Sequence, residues 1–300
     1  MNAVLSLNCP KVNRMIKVQY FEIDCEYKLQ PKDNIIVCFM ITMSLIAIVS
    51  NAYLVKSLRK TKIFGYFYGH ILVHRSLVEV TNSLITLCFF ATYIYLAYQV
   101  PSWVNITLST MFAFNLSSAY VLHMIISLNR CIAVYFPLGY GRVFDKIRAT
   151  FIASVGVVVV GGIVTSISFY YPCSQIVFSR YLYDIQPIGC DGNGVHMFDR
   201  SKRLMYATVA IWAVFTFSAL AIDLVTLIKI VKFTKSINQH SNQESTSRNV
   251  RFFLQTFTLN LVVCSGVIAT HMLKDGAFET TFMRFWFAHF QVMLGFVING

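Results

Sequence analysis

Few residues in this chain have chemistry to offer, and the most telling of them are set inside apolar runs. Arg130, preceded by Asn129, stands near the end of a run that begins at about Trp103 and carries no other charge. A guanidinium in hydrocarbon costs at least a few kcal/mol unless it reaches water, a partner or a cavity, so Arg130 either snorkels to headgroups or faces a cavity. Arg75 and Glu79 are four residues apart, which puts both on one helix face and lets them neutralise each other. For Glu79 a structural ion pair, a polar switch or cation pocket, and exposure to a water-filled cavity all stand open. Asp223 is a further charge in an apolar run and is expected to face the interior of the protein. His70 and His74 are again four apart, a spacing compatible with a metal ion. No Cys or carboxylate cluster stands beside them, so polar packing or headgroup contact is expected, with no metal and no cofactor. The constellations of enzymes are missing: the chain has no His-Glu-x-x-His, no Gly-x-Gly-Asp and no Gly-x-x-x-x-Gly-Lys, and reads as a non-enzyme.

The elements that must position these residues emerge from composition. Of 300 residues 56% are hydrophobic and 13% charged, whereas soluble domains run at about 45–50% and 25%. Seven apolar runs are long enough to cross a hydrocarbon layer of about 30 Å as helices: 34–58, 66–96, 103–134, 149–171, 204–231, 250–273 and 282–299. The expectation is an all-α, seven-transmembrane helix bundle over 34–300, preceded by an N-terminal segment, 1–33, that lacks the pattern of a signal peptide. The polar tract 236–249 reads as a solvated loop. Basic residues set the orientation. Lys56, Arg59, Lys60, Lys62, Arg130, Arg142, Lys146, Arg148, Lys229, Lys232, Lys235, Arg248 and Arg251 are thirteen on one side, opposed there only by Asp145 and Glu244, so +11 of the net +12 lies on that face. That face is taken as cytoplasmic, with the amino terminus outside. The charge is spread over short loops, which excludes a nucleic-acid-binding patch.

The segment from His123 to Phe144, HMIISLNRCIAVYFPLGYGRVF, carries Asn129-Arg130, Pro137 and Tyr140 in an arrangement that resembles seven-helix receptors coupled to G proteins. It is most similar to the nematode serpentine chemoreceptors, above all serpentine receptor class X. The segments TKIFGYFYGHILVHR, RFFLQTFTLN and FWFAHFQVMLGFVING agree with that family, so the resemblance spans nearly the whole chain. It implies a rhodopsin-like bundle whose outer half takes a small chemical cue and whose cytoplasmic face activates a heterotrimeric G protein. Asn129, Arg130 and Tyr140 would serve coupling, and Asn51, Arg75, Glu79 and Asp223 a polar core switch. Asn51 and Glu79 match the family's buried asparagine and acid in their separation. The resemblance places the protein in the lipid bilayer of the plasma membrane and, by family habit, in the sensory cilium of a chemosensory neuron. A ligand-gated channel or small-solute transporter is the alternative, since Arg75, Glu79 and Asp223 could line a path, although no repeats or broken helix pairs are visible.

The departures carry expectations of their own. Asn129 stands where many rhodopsin-like receptors have an acid, and the start of span six offers Arg248 and Arg251, with Glu244 the one acid nearby. The inactive state is therefore expected to be held by packing and hydrogen bonds, with no arginine-carboxylate lock. The Trp-x-Pro and Asn-Pro patterns of spans six and seven are missing. Of eight cysteines, Cys38, Cys88 and Cys264 fall inside spans as small apolar side chains, and Cys131 is cytoplasmic and reduced. Cys173 and Cys190 flank the loop between spans four and five and are the candidate disulfide, with Cys9 or Cys25 as rival partners. No cysteine opens span three. The sequons at Asn105 and Asn115 lie at the membrane edge and inside span three and are expected to be unmodified. Tyr93, Tyr95, Trp103 and Phe112 are available to an outer pocket, but the ligand-binding residues are not identified. Span seven closes at 297–300, which leaves open a short receptor or a truncated chain.

Overall fold

The computed structural model describes residues 30–60, 65–96, 100–144, 146–170, 176–180, 183–187 and 195–237, and single positions within 257–268 and 285–286. Helix α1 (Pro31–Lys60) opens with proline at its first position, where the missing N–H is no loss. Asp33 accepts a 2.6 Å hydrogen bond from the Gln30 backbone N–H and fixes that entry. Helix α2 (Gly65–Ile85) runs through a single π turn at Thr86–Phe90 into α3 (Ala91–Leu96), so the expected second span is one helical rod with a widened turn. Such a turn re-aims the side chains around it, and here Phe89, Phe90 and Tyr93 are all buried. Helix α4 (Ser102–Tyr135) begins after Pro101; a short α5 (Tyr140–Val143) comes next, and then α6 (Lys146–Tyr170). Helix α7 (Val195–Ile237) is longer than the run of apolar residues within it.

Among the described residues four helices are both long and apolar enough to cross a membrane, within 31–58, 67–96, 102–135 and 207–232, and α6 is a fifth long helix of 25 residues. Helix α4 is central: it packs against α2, α6 and α7. Its close approach to α6 is made by glycine. A Cβ on Gly161 would lie 2.2 Å from the Phe114 ring, and one on Gly156 would lie 3.3 Å from Val121. Ile35, Leu45, Ile46 and Val49 on α1 and Val214, Leu224, Val225 and Ile228 on α7 face outward, as a lipid-bathed surface requires. Many buried hydroxyls, including Ser83, Thr86, Ser117, Thr216 and Thr226, bond the carbonyl four residues back, so the backbone absorbs their polarity.

Among the described residues two short strands join the helices. They are β1 (Ile176–Ser179) and β2 (Asp184–Pro187), an antiparallel hairpin in register Ile176 to Pro187 through Ser179 to Asp184, with Tyr183 at φ 51° in its turn. The hairpin caps one end of the bundle. Phe178 and Tyr183 are buried there with Ile36 and Met40 of α1, Phe90 and Tyr93, Phe112 of α4 and Phe285. Phe178 stacks on Phe90 with ring centroids 4.2 Å apart. A second apolar cluster, Phe67, Tyr68 and Ile71 of α2 with Leu122, Ile125 and Ile126 of α4, lies nearer the other end. Between the two clusters runs a layer of buried polar side chains: Asn51, Glu79, Asn82, Ser83, Asn115, Ser117 and Ser118.

Candidate functional site

Arg130 lies beyond the second apolar cluster. His123, Ser127 and Arg130 are spaced by four and three residues along α4, so all three share one face. Asp223 of α7 meets that face, with both carboxylate oxygens 3.4 Å from the Arg130 Nη1. The expectation of an arginine without a carboxylate partner is thereby corrected. The acid comes from α7, well away from the start of span six; Glu244 lies outside the described residues. Arg130 is only 9% exposed and Asp223 wholly buried, so the pair needs further bonds to offset two desolvated charges.

Asn260 supplies them. Its amide nitrogen donates to the Asp223 carboxylate and, at 3.2 Å, to the Ser127 hydroxyl, while its amide oxygen lies 3.0 Å from the His123 Nδ1. Tyr68 of α2 lies beside Arg130 as well. One polar network therefore ties α4, α7, α2 and the helical segment around Asn260. Asp223 belongs to this network, and Arg75, with which it was grouped, lies within electrostatic range of Tyr68, His123 and Arg130. Asn260 and Ser127 were missed as site residues. Asn260 closes the segment RFFLQTFTLN that carries part of the resemblance, and the spacing of His123, Ser127 and Arg130 was legible, but nothing in the sequence joins the two.

Asn129 turns away from this network and accepts a 2.9 Å hydrogen bond from the Tyr140 hydroxyl, which latches α5 to the end of α4. Partial burial raises the Tyr140 phenol above its ordinary value of 10.0, against the lowering effect of that bond, so it stays protonated at neutral pH. Phe144, just after α5, stacks on Phe67 at 4.5 Å and fastens the turn to α2. Beside it Phe136 and Leu138 stand exposed, and Lys229 lies 3.8 Å over the Tyr135 ring.

The other charged pair is deeper. Arg75 Nε donates to Glu79 Oε1 at 3.0 Å, both residues are nearly inaccessible, and the Asn51 amide interacts with the same carboxylate while donating to the Ala47 carbonyl at 2.9 Å. The structure thus brings Asn51, Arg75 and Glu79 together. His70 and His74 touch through their Nε2 atoms, 3.0 Å apart, and no group of three or more metal-ligating side chains occurs among the described residues. At the hairpin end the Asn105 amide donates to the Phe178 carbonyl at 3.1 Å and accepts from the Phe178 N–H at 2.9 Å, with Ser109 donating to its oxygen. This clamp joins the loop to α4, and it engages the nitrogen that a glycan would need. Cys173 and Cys190 lie outside the described residues, as do Cys9 and Cys25; Cys38, Cys88, Cys131 and Cys264 are free thiols.

A single long helix bundle with a buried arginine network at one end and an aromatic, hairpin-capped end opposite is the frame of a seven-helix receptor. The family model described as Serpentine type 7TM GPCR chemoreceptor Srx matches residues 41–300. The chain belongs to this family. It is a chemosensory seven-helix receptor of the Srx family, a multi-pass membrane protein, and the matched stretch takes in Asn51, Glu79, Arg130, Asp223 and Asn260. A search of curated proteins finds no match for this chain.

Proposed function

We propose that this Srx receptor binds a small chemical cue in the outer half of its helix bundle and, in response, activates a heterotrimeric G protein at the cytoplasmic face. The observation that carries the reading is the Arg130–Asp223–Asn260 network. It joins three segments whose relative movement would open a cavity at the arginine end, so a ligand that favours separation of α4 from α7 would expose Arg130. Asn129 and Tyr140 then act in coupling by holding the short α5 turn, with exposed Phe136 and Leu138, against the face where the basic loops gather. Asn51, Arg75 and Glu79 form a second polar junction, between α1 and α2, whose rearrangement would accompany the switch. The receptor works in the plasma membrane, and a sensory cilium suits its family.

Expression with a G-protein readout tests this. Asp223→Asn keeps the side chain's size but removes the charge that holds Arg130 and puts an NH2 donor in place of one of the two acceptor oxygens, and is expected to raise ligand-independent signalling several-fold. Arg130→Ala at equal surface expression is expected to abolish signalling. A cue-evoked current that survives G-protein blockade would replace the receptor reading with the ligand-gated channel. Transport of the cue without any G-protein response would support the transporter.

A further inference from the structure

Two histidines on α2 lie outside the Arg130 and Glu79 clusters. His70 and His74 are one turn apart near the start of the rod that runs from α2 into α3, with His74 exposed and His70 half-buried. Leu77, on the same face one turn further, is 52% exposed, whereas Tyr68, Ile71, Arg75, Glu79 and Asn82 are turned into the bundle. The pair therefore looks to the bilayer. Histidines within membrane spans are rare and as a rule face the bundle interior or a water-filled cavity, so two of them on the outer surface of one helix ask for a reason.

Their depth admits ions. The span 67–96 has 30 residues and, at about 1.5 Å per residue, is about 45 Å long against a hydrocarbon layer of about 30 Å. About five residues at each end thus lie among the headgroups, which takes in His70 and brings His74 to the hydrocarbon boundary. This is the end of α2 at which Phe67 stacks on Phe144 and Tyr68 lies beside Arg130.

The two rings have the geometry of a chelate. Their Nε2 atoms are 3.0 Å apart, the ring planes cross at 83° and the centroids are 4.5 Å apart, so the rings meet at their Nε2 edges without stacking. Two imidazole nitrogens 3.0 Å from each other and about 2.0–2.1 Å from one ion subtend about 95° at it. That is close to the cis angle of about 90° in tetragonal or octahedral coordination and short of the tetrahedral value of about 109°. The helix itself keeps the pair in place, since residues four apart are neighbours on its surface. Without an ion, one Nε2–H donates to the other Nε2. Coordination takes the lone pairs of both atoms, so the proton of that ring moves to its Nδ1 and both imidazoles stay neutral. Arg75, next in sequence, is turned inward and answered by Glu79, which directs its charge away from the pair.

We propose that His70 and His74 form a two-histidine site for a divalent late transition-metal ion, with the angle favouring Cu2+ or Ni2+, and with water or headgroup phosphate filling the remaining positions. Mg2+ and Ca2+, which take oxygen ligands, are excluded by the donor set. A bound ion staples the first turns of α2, whose other face carries Phe67 and Tyr68 to Phe144 and Arg130. The site stands whether or not the receptor reading does.

The test uses the full chain, purified without a histidine tag, in phosphatidylcholine nanodiscs, with CuCl2, NiCl2, ZnCl2 and MgCl2 as probes. Calorimetry is expected to show Cu2+ tightest, Ni2+ and Zn2+ weaker, and Mg2+ unbound. At one equivalent of Cu2+ the paramagnetic resonance spectrum is expected to carry the splitting of two imidazole nitrogens. His70→Leu and His74→Leu are each expected to weaken Cu2+ at least tenfold and to lose the two-nitrogen pattern, with the metal-free unfolding temperature unchanged because both side chains lie on the lipid side; if one variant does not fold, the other reads the same loss. His74→Leu with Leu77→His keeps all seven histidines of the chain and the same helix face but sets the two positions about 10 Å apart, so it is expected to behave as the single variants do. A one-nitrogen spectrum in the parent, equal Cu2+ affinity in parent and variants, or full affinity in the relocated pair overturns the proposal and leaves His70 and His74 as a hydrogen-bonded polar contact.

Discussion

Arg75 and Glu79 take two charges out of solvent to make one 3.0 Å bond, which is a poor source of net stability but a strong constraint on what can be changed. Glu79→Ala leaves a guanidinium alone in the core and is expected to cost about 3–5 kcal/mol, whereas Arg75→Leu with Glu79→Leu together is expected to unfold near the parent temperature. Thermal unfolding of the parent and these variants in nanodiscs decides it. If the single and double variants lose the same stability, the pair is not an ion pair in the folded protein. This bond was legible because its two residues are four apart on one helix. The Arg130 bond was not. Asp223 could be seen as a costly charge in an apolar run, but its partner is 93 positions away, and the expectation considered an acid for Arg130 only at position 129 and at the start of span six. Asn129 stands where many related receptors have an acid, and its bond to Tyr140 depends on a short turn that brings a residue eleven positions later back onto α4.

At the scale of elements, the hairpin and the α4–α6 contact show what the helices must accommodate. Four-residue strands are too short to hold register alone, and this pair is held from outside by the two bonds between Asn105 and Phe178 and by the burial of Phe178 and Tyr183. Asn105→Ala is expected to speed amide exchange across residues 176–187 by at least tenfold. Asn105→Asp, which still accepts from the Phe178 N–H but cannot donate to its carbonyl, should fall between that variant and the parent. Equal exchange in all three proteins would show that packing alone seats the hairpin. The bounds of α1, of the rod from α2 to α3, of α4 and of α6 were readable from hydropathy to within three residues, whereas α7 begins nine residues before its apolar run and ends six after it; the strands were not readable, since IVFS and DIQP carry no alternation that marks an edge. Gly161 makes the second point. Gly161→Val drives a side chain into the Phe114 ring and is expected to cost about 1–3 kcal/mol. Gly162→Ala meets open space and should be neutral or slightly stabilising, and unfolding temperatures of the two compared with the parent check the difference.

For the whole molecule the charge distribution sets topology. With thirteen basic residues on one face, the amino terminus is expected outside, so an epitope placed before Pro31 should be labelled on intact cells and one placed in 236–249 only after permeabilisation. The reverse pattern would move the Arg130 network to the outer face and end the coupling proposal. Hydropathy and charge determined the membrane, the helices and the expected orientation, because bilayer thickness and headgroup potential act on each segment independently of its neighbours. The residues quoted for the family resemblance also pointed to Srx, and the family match over 41–300 bears that out. Tertiary structure alone decided which polar atoms meet. Asp223 with Arg130 and Asn260, Asn105 with Phe178, and Asn82 with no partner among the described residues are outcomes of how separate helices rotate and cross. Helical periodicity gives each residue a face, but the neighbour on that face comes from distant sequence, and a hydrogen bond depends on ångström-scale placement that hydrophobic pattern does not encode.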